Sequence, residues 1–118
     1  MEDTRTRNAL LSLHGTLVDF ERRAWEKAHG RATGAQFLQA LLRDPSFAWL
    51  APLTALVARL DELGEAEDAR RRTWRARARA LLGGGNGEFG AKYQARIEAS
   101  PDVAFAHASA LYTLRNPG

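Results

Sequence analysis

Apolar side chains recur at spacings of three and four along almost the whole chain, and alternating apolar–polar runs are nearly absent. That rhythm matches the helical period of about 3.6 residues and not the two-residue period of a strand. β-Branched residues are also few. A chain patterned this way can only hide its stripes by packing helix against helix, so an all-α fold is expected.

Breakers and caps divide the rhythm into elements. Leu10, Leu13, Leu17, Phe20 and Ala24 form the stripe of a first helix, Thr4 to Ala28, stopped by His29-Gly30. Thr33-Gly34-Ala35-Gln36 matches a capping box and opens a short helix, Ala35 to Arg43, expected to bury Phe37, Leu38, Leu41 and Leu42. Asp44 caps the next helix and Pro45 suits its first position. Pro52 removes one bond from the ladder, so this helix bends or restarts near Ala51 before it stops at Gly64. A fourth helix is expected from Glu65 to Leu82, a glycine linker from Gly83 to Gly87, and a short fifth helix from Glu88 to Ala99. Ser100-Pro101-Asp102 opens a sixth, which ends before Asn116-Pro117-Gly118. Short links make neighbours antiparallel, so the expected architecture is a compact antiparallel helical bundle of four longer and two short helices, one domain over residues 1–118.

The chain has no cysteine, which excludes disulfides, zinc–thiolate sites and thiol catalysis and makes cytoplasm the expected compartment. No run approaches the roughly 20 apolar residues of a membrane span, and Met1 to Arg7 lacks the apolar core of a secretory leader.

Net charge is +3, from 17 basic and 14 acidic residues, and only Lys27 and Lys92 are lysines. Arginine and alanine abundance together fit a genome rich in G and C. In projection Arg71, Arg75 and Arg79 fall on one line with Arg72 alongside, opposite Ala69, Thr73, Ala76 and Ala80. This is expected to be a solvated basic ridge, and Arg71, Arg72, Arg75 and Arg79 are the candidate anion-binding set. Arg70 and Arg77 fall beside Trp74 and Leu81, where their stems can cover the core. Aromatic interleaving is poor, and the glycine linker lacks the lysine–hydroxyl ending of a phosphate loop.

Four polar residues project inward: His14 and Glu21 on the first helix, Asp61 on the third and His107 on the last. Together they are a candidate core polar site. Bundles bind iron or manganese with such side chains, but the Glu-x-x-His signature of those sites is absent. No metal ligand, cofactor or catalytic residue is therefore assigned, and buried hydrogen-bonded pairs that fix helix register are expected instead. Trp25, Trp49 and Trp74 read as core. Phe47 and Trp49 point to different sides, which would leave one exposed as a partner contact.

The block Asp44-Pro45, Phe47-Ala48-Trp49-Leu50, Pro52-Leu53, Asp61-Glu62 resembles a pattern of small bacterial helical proteins of unassigned function. Ser100-Pro101-Asp102-Val103 followed by Ala106-His107-Ala108 resembles the C-terminal part of the same family. The resemblance implies a bacterial source and carries no activity, cofactor or catalytic residue.

The function expected is that of a non-enzymatic bundle acting through protein–protein contacts, with a protein partner or a second copy packing on the alanine-rich side of the fourth helix. The alternative is nucleic-acid or polyanion binding through the arginine ridge. A metal or small-molecule site around His14, Glu21 and His107 is the third reading.

Overall fold

The computed structural model describes residues 2–63, 68–84 and 87–116. The side chains of Glu2, Asp3, Asp61 and Asp68 lie outside that description. So do the expected stop at Gly64, the expected start at Glu65 and part of the glycine linker.

Six α-helices and one 3₁₀ segment account for the regular structure of the described residues: α1 (Glu2–His29), α2 (Gly34–Arg43), the 3₁₀ segment (Pro45–Leu50), α3 (Ala51–Leu63), α4 (Asp68–Leu82), α5 (Gly87–Ala99) and α6 (Pro101–Arg115). The fold is an all-α helical bundle. Local chemistry accounts for the boundaries. Gly30 takes φ 87° after α1, the left-handed stop that a side chain resists. At α2 the capping box is complete: Thr33 Oγ1 accepts from the Gln36 N–H at 3.1 Å, and Gln36 Oε1 accepts from the Thr33 N–H at 2.9 Å. Asp44 Oδ1 accepts from the Ser46 N–H at 2.9 Å, with Pro45 next in line. Pro52 does not bend one long helix. The chain winds as 3₁₀ through Leu50 and α3 starts afresh at Ala51. Ser100 Oγ accepts from the Val103 N–H at 3.3 Å and starts α6. The division into four longer and two short helices is modified accordingly. The restart shortens α3 to 13 residues, and α5 equals it.

α1 is the staff of the bundle. It packs antiparallel along α6, with Thr6 near the end of α6 and Phe20 near its start, and meets α3 on another side. α4 bridges α3 and α6, and α5 packs on α6 and the 3₁₀ segment. The core runs through Leu10, Leu13 and Leu17 of α1, Trp49, Leu50 and Leu53, Trp74 and Leu82, Phe89 and Tyr93, and Val103 and Leu114. On α1 the stripe continues through buried Glu21, while Ala24 is exposed. On α2 only Phe37 is buried, Leu41 is half-covered, and Leu38 and Leu42 stand 53% and 72% exposed. Phe47 and Trp49 are both buried, against the expectation that one would show. Phe47 meets Phe37 edge-on at 5.6 Å, and Trp49 packs near Phe89 at 5.7 Å. No described helix is long and apolar enough to cross a membrane.

Candidate functional site

The inward polar residues take separate partners. His14 Nε2 lies 2.8 Å from Thr54 Oγ1, whose single proton goes to the Leu50 carbonyl at 3.2 Å. With the hydroxyl proton so placed, a His14 ring protonated on Nε2 donates to Thr54. Burial pushes its pKa down, which keeps the ring neutral. Glu21, two turns further along α1, accepts from Arg96 Nε of α5 at 2.9 Å. The Arg96 guanidinium also stacks over Trp49 at 5.1 Å, joining α1, α5 and the 3₁₀ segment in one contact. His107 of α6 shares a 2.6 Å hydrogen bond through Nδ1 with the Tyr93 hydroxyl of α5. Burial raises the Tyr93 pKa, and burial with the nearby Arg115 charge lowers that of His107, so both partners are neutral. His14, Glu21 and His107 thus make three cross-helix links rather than one constellation. Among the described residues no group of three metal-ligating side chains comes together. The Asp61 side chain lies outside the described residues.

The arginine ridge is only partly solvated, against expectation. Arg75 is 7% exposed, and Arg71 is half-buried. Arg75 Nη1 donates to the carbonyls of Thr113 and Leu114 at 3.2 and 3.3 Å, and its Nη2 to Thr6 Oγ1 at 3.2 Å. Arg79 Nη1 adds a second donor to the Leu114 carbonyl at 3.3 Å. The physical cause is the end of α6, whose last carbonyls lack helical donors and carry the negative end of the dipole. Guanidinium groups from α4 satisfy both demands, and buried Thr6 completes the clasp. Ala69, Thr73, Ala76 and Ala80 form the outward side instead, with Arg72 and Arg77. The solvated line is therefore broken at buried Arg75 and half-buried Arg71, while Arg79 and Arg72 stay exposed as expected. Trp74, placed inward by the sequence, is buried and donates its indole N–H to the Leu56 carbonyl at 3.0 Å.

One surface was not singled out from the sequence. α6 is apolar on both sides. Val103, Ala106, Ala110 and Leu114 face the core, while Phe105 and Tyr112 face out, 73% and 59% exposed, with exposed Ala108 between them. Beside this stripe runs an open groove of about 560 Å³ between α1 and α6, walled by Ala9, Ser12, Gly15 and Thr16 and by Phe105 and Ser109. Gly15 lies in mid-helix with open space where a side chain would stand. The signal was available: Phe105 and Tyr112 are seven apart, so they share a face opposite the core stripe.

Comparison with protein-family models, with curated proteins and with solved structures gives no match to this chain.

Proposed function

We propose that this chain is a non-catalytic protein-binding helical module of the cytoplasm and that it docks through the outward face of α6. The observation that carries the reading is the two-sided apolarity of α6. A helix that is hydrophobic all round belongs in an interior, yet only one side of α6 is covered by the chain itself. Phe105 and Tyr112 supply the large aromatic area that protein interfaces favour. Support also comes from the interior, where His14, Glu21 and His107 each serve a cross-helix link. The polyanion reading is weakened because Arg75 and Arg79 serve the α6 carbonyls.

The test is position-specific photo-crosslinking in the native host. A photoreactive phenylalanine analogue replaces Phe105 or Tyr112 in one set of cells and exposed Gln94 of α5 in another. Protein adducts from the two α6 positions and none from Gln94 are expected. No adduct at either α6 position would overturn the reading.

A further inference from the structure

We infer that the outward face of α6 is covered by the same face of a second copy of this chain, in an antiparallel two-fold pair. The inference rests on the α6 docking reading and names the occupant. Phe105 and Tyr112 stand equally far from the midpoint between Ala108 and Ser109, and so do Asp102 and Arg115. A two-fold axis through that midpoint therefore sets Phe105 of each copy level with Tyr112 of the other. Exposed Ala108 marks the crossing, where a small side chain lets two helices approach closely.

Symmetry points to the occupant, and charge favours the orientation. Asp102 lies in the first turn of α6 and Arg115 in the last, both exposed. Antiparallel pairing sets the acidic end of one copy level with the basic end of the other, on opposite flanks of the shared face, and opposes the two helix dipoles. Parallel pairing would set like against like. The groove beside α6 extends the contact onto α1. Because α1 and α6 are antiparallel, Phe105 of the second copy falls at the level of Ala9 and Ser12, whose small side chains leave it room. Gly15 fits the same picture. A glycine in mid-helix lowers helix stability, and within the chain no neighbour requires it, while a large side chain there would narrow the groove. A helix-on-helix contact of this length lies at the small end of specific interfaces, so a dissociation constant of roughly 1–100 µM is expected.

The full chain is tested by multi-angle light scattering across a concentration series, with single-cysteine crosslinking in parallel. The absence of native cysteine makes each introduced thiol unique. Wild-type protein should shift from monomer to dimer with concentration, and Phe105→Glu, at an exposed position, should weaken that at least about tenfold. Ala108→Cys should form a disulfide-linked dimer with oxidised glutathione, as the axis brings the two thiols within bonding range. Ala80→Cys, on the exposed alanine side of α4, should not. A monomer at millimolar concentration, a dimer indifferent to Phe105→Glu, or a crosslink at Ala80 in place of Ala108 would each overturn the inference. Its failure is separable from that of the docking reading. Photo-adducts of another mass at Phe105 with a monomeric chain sink the second copy alone, whereas no adduct at all sinks both.

Discussion

Arg75 carries a charge into the seam between α1 and α6, and its surroundings explain why it is tolerated there. Two carbonyls and a hydroxyl accept from one guanidinium, at a helix end that already favours a cation. Arg75→Met keeps much of the stem but removes its donors to Thr113, Leu114 and Thr6, of which the Leu114 carbonyl keeps a second donor, from Arg79. We expect it to lower unfolding free energy by about 2–4 kcal/mol in urea titrations. Arg72→Met, at an exposed position on the same helix, should stay within about 0.5 kcal/mol. Equal losses at the two positions would refute the clasp. The histidines set a second residue-scale expectation. Burial depresses both His14 and His107, so the unfolded chain binds protons more readily than the folded one just below the usual histidine value of about 6.5. Stability is therefore fully present above that value and falls as pH drops through the depressed folded values. Asp44 is also depressed, chiefly by the Ser46 N–H, so its contribution fades only below the ordinary carboxylate range. Urea midpoints at pH 7.5 and pH 5 should thus differ, with the lower value at pH 5. The paired substitution His14→Gln and His107→Gln should shrink the difference. An unchanged difference would assign it to other groups.

Elements divide into those whose determinants are local and those whose determinants lie far along the chain. Thr33 with Gln36, Asp44 with Pro45, Pro52, and Ser100 with Pro101 each act within a few residues, and each was legible from the sequence. Ser100 starts the helix that closes the core, whereas Thr33 starts α2, which buries only Phe37. Ser100→Ala should therefore lower global stability by about 1 kcal/mol. Thr33→Ala removes a similar cap but should show as faster amide exchange confined to α2, because α2 can open while the core stays closed. Global loss of equal size from both would contradict that ranking. The phase of α4 was legible at Trp74 but not at Arg75, which is buried on the same helix. Its arginines look like solvent residues until the end of α6 supplies acceptors, and that end is remote in sequence. Glu21 was legible as an intruder on the α1 stripe, but its partner Arg96 was not, for the same reason. The candidate polar site dissolved because inward direction is a local property, while meeting at one point depends on helix packing. Leu38 and Leu42 fail on similar grounds: their spacing marks an apolar side, but among the described residues no element reaches over it.

At the scale of the whole molecule, the first and last helices form one unit. A single side chain, Arg75, touches Thr6 near the start of α1 and Leu114 near the end of α6. The two ends of the described chain thus lie within the span of a guanidinium and its neighbours. The body measures 46 × 27 × 24 Å, and α1 with its 28 residues runs most of the long dimension. Continuity of α1 is then more important than continuity between α4 and α5, where exposed Gly84 and Gly87 both take positive φ. A circular permutant tests this ranking. Joining Gly118 to Met1 through a short glycine–serine linker and reopening the chain between Gly84 and Gly87 keeps every helix whole. It should retain a helical circular dichroism spectrum and unfold cooperatively within about 10 °C of the parent. Reopening at Gly15 instead separates Leu10 and Leu13 from Leu17 and Glu21, which together line the seam with α6 and α5. That permutant should lose cooperative melting altogether. If both permutants folded alike, the α1–α6 seam would not be what organises the molecule, and the outer face of α6 would lose the rigid backing that a partner surface requires.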